Sequence, residues 1–436
     1  MSTSPPISPG EFDPSFGPLH DGKLLLVYSD YVVNNGQLIS EAPDGKIYVG
    51  GTSWARGSTL PEHFSLTRVL SDGTLDSEFG IAGTAHLKLT APDVSLGRTP
   101  IQLFYITHDG EEKILLSMGQ HSMGEGASTI TEALIRLTDK GELDKSFGTD
   151  GLLLITPPFK VESTQQPASD IMYDGSIASG RTVHASDGRI YIISAAIDPD
   201  LGLGVGVVMC FDYNGVADLT FNNTGYASLA EVLGVRSSLN DIVVQDGKIT
   251  VCGWATSGAL LARLNLDGSF DKTFSGVGYK LLAGTSFQFT SLAVLPDGRT
   301  VATGFGFPER KGLVAAYTPT GLIDRSFNQG APIYENFDDA VAVLFLGMGY
   351  KDDKIVVSGR YIVGQTPYFV TARYLVNGRR DTNFGNGKGW VVHELGSRAL
   401  AHGMTLQSDG KILVIGNDHD GFYGHTVIVT RLQNGA

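Results

Sequence analysis

Apolar residues along most of the chain come in short runs separated by Gly, Asp, Asn and Pro. The run Ser291–Leu295, for example, leads into Pro296-Asp297-Gly298, and the run Thr300–Gly304 follows it. Asp-Gly between two such runs predicts a tight hairpin, because Gly supplies the positive φ that the turn needs. The pattern therefore predicts many short antiparallel strands and few helices.

Two motifs alternate along the whole chain. The tetrad Asp-x-x-Phe occurs seven times, at intervals of 53 to 74 residues, beginning at Asp13, Asp76, Asp144, Asp218, Asp271, Asp324 and Asp381. A hairpin motif lies between successive tetrads or after the last one, at Asp44, Asp109, Asp187, Asp246, Asp297, Asp352 and Asp409. Each repeat of about 60 residues thus holds four predicted strands, A to D, with the hairpin motif between A and B and the tetrad between C and D. Such a unit is typical of one β-propeller blade.

The two ends of the chain complement each other. The last run, Thr426–Leu432, is a third strand without a tetrad after it, and the chain begins with the tetrad Asp13–Phe16 and an apolar run. We therefore predict an all-β fold, a seven-bladed β-propeller of four-stranded antiparallel blades. The seventh blade would combine residues 399–436 with residues 12–28, which removes the exposed edges of an open array. Residues 1–11 would form a flexible arm, and residues 12–436 the single propeller.

The repeated motifs resemble the bacterial delta-60 repeat. Asp-x-x-Phe-Gly followed by Pro-Asp-Gly-Lys-Ile-Leu-Val carries the likeness, which covers nearly the whole chain and is similar over a complete unit from Phe384 to Val414. Asn222, Ser275 and Asn328 replace the Gly after Phe, and Asp353 replaces a hairpin Gly. The resemblance implies a propeller-like domain, without an established activity, a cofactor or catalytic residues to carry over.

Composition narrows the possible partners. The chain has 56 Gly in 436 residues, only 18% charged residues and a net charge of −14. This acidic balance and the lack of a basic run argue against nucleic acid and anionic membranes, because binders of the phosphate backbone need surplus Lys and Arg. The polar N-terminus lacks the features of a Sec-type signal peptide, and no apolar run reaches the ~18 residues of a membrane span. We expect a cytoplasmic protein or one exported by a non-Sec route. Cys210 and Cys252 lie in apolar runs and are predicted to be buried free thiols.

Several tetrads have an Arg eight residues before the Asp, and Arg431 would take that place before Asp13 if the ring closes. An Arg on strand C can bind a carboxylate in the following turn, which predicts an intra-blade clip, with the Phe packed into the blade. The predicted pairs are Arg68/Asp76, Arg136/Asp144, Arg263/Asp271, Arg373/Asp381 and Arg431/Asp13. Cys210 and Ala316 occupy the Arg position in blades 3 and 5. The alternative, an acidic metal or catalytic site in each blade, is less consistent with a part repeated in every blade.

Both motifs should lie at one end of the propeller, which leaves the B–C and D–A connections at the other end. These connections share no motif and vary in length, and ligand sites are commonly built on variable loops of a rigid scaffold. The candidate ligand-binding residues are Trp54, Arg56, His63, His121, Trp254, Arg310, Tyr361, Tyr368, His419 and Tyr423. Phe307 and Phe422 lie in the same connections. The alternative for all of them is packing of the loops onto the blades.

The main functional hypothesis is a non-enzymatic binding or interaction module for a carbohydrate, peptide or protein. The alternative is a propeller-type hydrolase or lyase acting on a carbohydrate or small molecule at the channel mouth, and a third possibility is a scaffold component. An enzyme would need acids or His on the D–A connections, where the candidates are Asp30, Asp93, Asp170, Asp338, Asp339, His393 and Glu394. We assign no catalytic residue, metal ligand or cofactor from the sequence.

Two polar segments and one long interval remain. Asn417–Gly421 and Asp198–Asp200 resemble fragments of metal-binding loops but lack the full spacing of a calcium loop, which predicts solvated turns. The interval from Asp144 to Asp187 is the longest between motifs. It predicts a D–A insertion that is either a mobile loop or a lid over the channel.

Overall fold

The computed structural model is a seven-bladed β-propeller built from antiparallel sheets, which confirms the fold predicted from the repeat. Six blades show four strands, and blade 3 shows strands B, C and D in the part that the structure describes. The structure describes residues 7–27, 33–54, 63–88, 90–91, 94–95, 99–108, 111–124, 127–155, 188–284, 287–307, 309–338, 340–396, 398–419 and 425–435. Residues 156–187, which make up most of the interval predicted to be a mobile loop or a lid, lie outside them.

Within each blade, the strands lie side by side in chain order, A to D. The strands of the first three blades are Val33–Glu41, Ile47–Trp54, His63–Val69 and Thr84–Lys88 in blade 1, Thr99–His108, Glu111–Gly124, Ala127–Thr138 and Leu152–Ile155 in blade 2, and Ile190–Asp198, Leu203–Phe211 and Tyr226–Ser228 in blade 3. A short hairpin, Thr90–Ala91 with Val94–Ser95, follows blade 1.

The remaining blades repeat this arrangement. Their strands are Ser237–Gln245, Lys248–Ala255, Gly258–Asn265 and Tyr279–Ala283 in blade 4, Phe287–Val294, Thr300–Gly306, Lys311–Tyr317 and Ile333–Glu335 in blade 5, Ala342–Lys351, Lys354–Val363, Thr366–Leu375 and Trp390–His393 in blade 6, and Ala399–Leu406, Ile412–His419, His425–Leu432 and Lys23–Leu26 in blade 7.

Helical structure is limited to single turns in the described residues. Helix α1 is Ala230–Leu233. Two 3₁₀ turns lie at the ends of tetrads, Phe221–Asn223 from the tetrad Phe of blade 3 and Asn328–Gly330 directly after that of blade 5. In the described ranges, no helix has the length and apolar character needed to cross a membrane.

The N-terminal segment completes blade 7. Lys23–Leu26 pairs antiparallel with the last strand, from Lys23 opposite Thr430 to Leu26 opposite Val427. The preceding residues are also attached: Gly10 N–H donates to Gln433 O at 2.7 Å, and Gln433 N–H donates to Glu11 O at 2.9 Å. Part of the segment assigned to a flexible arm thus takes the place of the C–D turn that the C-terminus lacks.

The core consists of apolar clusters between neighbouring blades, and the tetrad Phe rings are central to them. Phe79 and Phe147 are fully buried, as are their equivalents in the other blades except Phe327, which is 1% exposed. A turn Gly of the next blade lies against each of these two rings: a Cβ on Gly141 would meet the Phe79 ring at 2.8 Å. Gly141 also has a φ of +82°. Both the close approach and the conformation therefore favour Gly here. Cys210 and Cys252 are buried and free, as predicted.

Candidate functional site

The propeller has two different ends, which we call the turn face and the loop face. The turn face holds the A–B hairpins and the C–D turns with their tetrads, whereas the loop face holds the B–C and D–A connections. This division follows from the antiparallel strand order, and it places the two repeated motifs together as predicted.

On the turn face, each tetrad Asp shapes its own turn. Its Oδ1 accepts the backbone N–H of the residue two positions later, at 2.8 to 3.1 Å in all seven blades. The Phe N–H donates to the Asp carbonyl in each blade. Asp in this position stabilises a tight turn through its side chain, which explains why the same residue recurs.

The five predicted Arg–Asp pairs are in contact. The distance from Arg Nε to Asp Oδ2 is 2.7 Å in Arg68/Asp76, 2.9 Å in Arg136/Asp144, 2.9 Å in Arg263/Asp271, 2.8 Å in Arg373/Asp381 and 2.7 Å in Arg431/Asp13. The Arg373 pair is an ion pair without hydrogen-bond alignment. Each guanidinium also lies over the tetrad Phe ring of its blade, 4.5 to 4.9 Å from the centroid. The Arg thus contacts both invariant members of the tetrad.

Blades 3 and 5, which lack the strand C Arg, use an Arg that directly precedes strand B. Arg189 reaches Asp218 at 3.5 Å, and Arg299 reaches Asp324 at 3.1 Å. The equivalent position is Lys in the blades that keep the strand C Arg, such as Lys248, which lies 3.1 Å from Asp271. In blades 3 and 5, therefore, an Arg replaces this Lys where the Arg of strand C is missing.

These arginines also join each blade to the next, which the sequence analysis did not anticipate. Nη1 of each Arg donates to a group in or beside the following C–D turn, a backbone carbonyl except in the blade 6 pair. The pairs are Arg68 to Asp139, Arg136 to Tyr213, Arg189 to Leu266, Arg263 to Pro319, Arg299 to Val376, Arg373 to the side chain of Asn434, and Arg431 to Ser71. The contacts run through all seven blade boundaries and form a closed ring.

The pKa values of six tetrad carboxyl groups are lowered, those of Asp13, Asp76, Asp144, Asp218, Asp271 and Asp324. Burial alone would raise the pKa of Asp271, but hydrogen bonds from Thr273 and Lys248 and the charge of Arg263 outweigh it and lower the pKa to about 2. The pKa of Asp218 is also lowered, mainly by the hydrogen bond from Thr220. The acidic groups of the turn face are thus engaged in the architecture.

On the loop face, two arginine–aromatic pairs lie on consecutive blades. The Arg236 guanidinium lies 5.8 Å from the ring centroid of Trp254 in blade 4, and that of Arg310 lies 6.0 Å from the centroid of Phe307 in blade 5. Phe307 is 41% exposed, and Trp254 is half-buried. The Arg310 backbone is fixed because its carbonyl accepts the Val343 N–H at 2.8 Å. These rings and guanidinium groups are presented to solvent.

Tyr361 differs from the other candidates because it is only 6% exposed. Its ring stacks on Trp390 at 6.0 Å, and Trp390 stacks on Phe337 at 4.7 Å with an interplanar angle of 17°. Tyr368 lies 6.5 Å from Tyr361 at the edge of this group. Tyr361 is therefore part of the core between blades 5 and 6.

The remaining ligand candidates are distributed over several blades. His63 is half-buried at the start of strand C in blade 1. Trp54, His121 and His419 lie in strands B of blades 1, 2 and 7. Arg56 and Tyr423 lie outside the described residues.

The candidates for an enzyme site are also dispersed. Asp338 is exposed and lies 3.6 Å from Lys388, whereas His393 ends the outermost strand of blade 6 and is far from the channel in strand order. The candidates Asp30, Asp93, Asp170 and Asp339 are not among the described residues. Over the described ranges, no group of three or more His, Cys, Asp or Glu is placed to hold a metal ion.

The two metal-loop fragments have different structures. Asp198 Oδ1 accepts the N–H groups of Asp200 and Leu201, which makes this segment the exposed turn that was predicted. The prediction of a solvated turn was wrong for the start of the other fragment, because Asn417 belongs to strand B of blade 7 and is 2% exposed. Its Oδ1 accepts the N–H of Gly36 in blade 1 at 2.8 Å.

Sequence reasoning also missed polar contacts along the innermost strands. A β-bulge interrupts strand A in six blades. Bulge residues reach the next blade: Asn240 Nδ2 donates to Phe289 O at 2.7 Å, and Thr290 Oγ1 donates to Phe345 O at 2.8 Å. In blade 6, Arg360 donates to Ala401 O at 2.8 Å. No motif marks these residues, because each blade uses a different side chain.

Three spans of the chain match a known family model. A family model described as "Domain of unknown function (DUF5122) beta-propeller" matches residues 42–79, 245–274 and 351–384. These three spans run from the A–B hairpin to the tetrad Phe in blades 1, 4 and 6, which supports a β-propeller repeat family. A search of curated proteins finds no significant match.

Among solved structures, the chain is similar to a protein of unknown function from Dyadobacter fermentans, with 12% identity over 81% of this chain and 97% of that one and a TM-score of 0.43. It is similar to a prolyl endopeptidase, with 12% identity over 92% of this chain and 50% of that one and a TM-score of 0.48. It is also similar to a PQQ-bound aldose sugar dehydrogenase from Streptomyces coelicolor, with 12% identity over 94% of this chain and 98% of that one and a TM-score of 0.37. None of these likenesses bears on activity.

Proposed function

We propose that this protein is a non-enzymatic binding module that holds a carbohydrate, peptide or protein ligand on its loop face. The observation that carries the proposal is the contrast between the two faces. The repeated charged groups of the turn face are engaged in contacts within the ring, whereas Arg236/Trp254 and Arg310/Phe307 present guanidinium and aromatic groups to solvent on the loop face. We also assign the repeat to the bacterial delta-60 type.

The chemistry of these pairs suits binding. An aromatic ring packs against the apolar face of a sugar or against an apolar side chain, and a guanidinium held on the ring keeps its N–H groups free to bind hydroxyl or carboxylate oxygens. Trp, Tyr and Arg are also the residues that most often dominate interface energies. Two pairs on consecutive blades would allow a ligand to contact both.

The test is a glycan and peptide array screen with the purified protein, followed by affinity measurements on variants. Trp254→Ala and Phe307→Ala should each weaken binding of any hit at least about 30-fold, the effect of truncating an interface hot spot. Leu322→Ala, on a 58% exposed residue of the turn face, is the matched control and should leave the affinity unchanged. Equal affinities for all three variants would contradict the proposed site.

The same preparation tests the enzymatic alternative. Turnover of a carbohydrate or small lactone that stops in the Trp254 or Phe307 variant would favour a hydrolase or lyase and contradict the non-enzymatic assignment.

A further inference from the structure

The segment Ser8–Leu26, which we call the strap, is attached to the propeller by side chains as well as by strand pairing. Near its start, Phe12 pairs with Leu432 in blade 7, and Gly385 N–H of blade 6 donates to Pro9 O at 3.0 Å. The strap therefore spans the boundary between blades 6 and 7. Its attachment closes the ring.

Phe12 contacts one titratable ring on blade 6. The centroid of the Phe12 ring lies 4.5 Å from that of His393, the last residue of strand D, with an interplanar angle of 39°. Lys23 Nζ, from the other end of the strap, lies 4.9 Å from the same Phe12 centroid. A neutral imidazole, a phenyl ring and an ammonium group thus meet where the strap crosses onto blade 6.

His393 is unusual because its Nε2 atom is buried and has no hydrogen-bond partner, although the residue as a whole is half-buried. Protonation would leave an N–H at this atom without a hydrogen-bond acceptor. It would also place a positive charge on a ring whose Nε2 atom is shielded from water. Burial, with a smaller effect from the Lys23 charge, lowers the pKa of His393 from 6.5 to about 4. His393 is therefore neutral when the strap is in place at neutral pH.

We propose that Phe12 on His393 is an acid-sensitive latch, which holds the strap on the propeller at neutral pH and opens more often in mildly acidic solution. Release hydrates the imidazole and separates it from Lys23, so protonation becomes favourable in the open state. A strap that opens would expose the edge of the strand His425–Leu432, while the interior blades keep their own pairing.

The Lys23 charge also opposes protonation of His393 in the closed state. Lys23 is the charged group that acts on His393 from the strap, and Asp21 lies 3.6 Å from Lys23. Glu11, also on the strap, accepts the Ser8 N–H at 2.9 Å. On blade 6, the neighbouring Glu394 is exposed.

Linkage gives the size of the effect. The folded pKa lies below that of a hydrated imidazole, so the closed state loses stability as pH falls from about 6.5 towards 4. Between pH 7 and pH 5 the ratio of closed to open strap should fall about 20-fold, if the open state has the ordinary His pKa.

Hydrogen exchange of the strap, measured by mass spectrometry between pH 7.0 and pH 5.0 and corrected for intrinsic exchange rates, tests the latch. The opening equilibrium of residues 8–26 should rise about 20-fold in the wild-type protein. His393→Phe, which keeps a ring against Phe12 but cannot be protonated, should abolish this rise. His20→Gln removes an exposed His from the strap itself and should leave the rise unchanged.

His393→Gln is a second variant that cannot be protonated in this range, in case the Phe ring disturbs folding, and it should also abolish the rise. Opening that is independent of pH in the wild-type protein would overturn the latch. So would a rise that persists in the His393→Phe or His393→Gln variant.

Discussion

Arg431 and Asp13 are 418 positions apart in the chain, yet Arg431 Nε donates to Asp13 Oδ2 at 2.7 Å. The two residues are 3% and 1% exposed. Their contact reproduces, between the two ends of the protein, the pair that four other blades form within a span of eight residues. Ring closure therefore uses the same chemistry as the interior of the repeat.

Arg431→Ala should destabilise the protein by about 3 kcal/mol or more, because it removes the guanidinium that pairs with the buried Asp13 carboxylate. Thermal or urea unfolding measures the loss. Arg325→Ala, on an exposed residue, is the control and should change the free energy of unfolding by less than about 0.5 kcal/mol. Equal stability of the two variants would refute the clip as a stabilising device.

Arg299→Ala should destabilise the protein more than Lys248→Ala, although the two residues occupy equivalent positions. Arg299 is the arginine that both binds Asp324 and reaches Val376 in blade 6. In blade 4, Arg263 makes these contacts, so removal of Lys248 leaves them in place. We expect about 1–3 kcal/mol for Arg299→Ala and about 1 kcal/mol or less for Lys248→Ala. Comparable losses in urea unfolding would count against the transfer of this role to Arg299.

The tetrad aspartates should make the protein sensitive to acid. Because the pKa of Asp271 is lowered to about 2, its stabilisation is complete above about pH 4 and is lost as pH falls through 2. The loss is about 2 kcal/mol for a shift of this size. Asp271→Asn should flatten that part of a stability–pH curve measured by urea unfolding. The control Asp246→Asn, on an exposed turn residue, should show the same pH dependence of stability as the wild-type protein. If Asp271→Asn also showed the wild-type pH dependence, Asp271 would not be a source of the acid sensitivity.

Two aromatic residues of the B–C region should respond differently to truncation. Tyr361→Ala removes a ring from the stack with Trp390 and should reduce the free energy of unfolding by about 3–5 kcal/mol. Phe307→Ala removes a ring that is 41% exposed, so the loss should be near 1 kcal/mol or below. Differential scanning calorimetry compares the two. If Phe307→Ala were the more destabilising variant, Phe307 would be better explained as a packing residue.

Much of the fold could be predicted because short sequence motifs determine the turns. Asp-Gly hairpins and Asp-x-x-Phe tetrads each stand for one backbone geometry, and their alternation determines the strand order. The Arg–Asp spacing of eight residues is also local, and Arg136 and Asp144 meet as that spacing suggests. The seventh blade was predictable because each chain end lacks what the other supplies.

Contacts between blades were not predictable in the same way. Arg136 reaches Tyr213, and Arg263 reaches Pro319, at sequence separations of 77 and 56 residues that depend on the length of each insertion. The bulge residue Asn240 has no counterpart of the same type in blade 5, where Thr290 takes its place. The direction of the Tyr361 side chain, into the core, depends on packing against Trp390, which lies 29 positions away.

The ring of arginines has a consequence for how the protein comes apart. In an open solenoid, each repeat contacts only its neighbours and the end repeats can fray independently. Here each arginine of the ring pairs with the tetrad carboxylate of one blade, and its Nη1 donates to a group of the next blade. Arg431 of blade 7 makes the last of these contacts, to Ser71 in blade 1. No blade is terminal, so once the strap is in place the blades have no free end from which melting can begin. We therefore expect the seven blades to unfold as one cooperative unit. A variant with one blade deleted could close its ring only if every pair of neighbouring blades packed at a new angle.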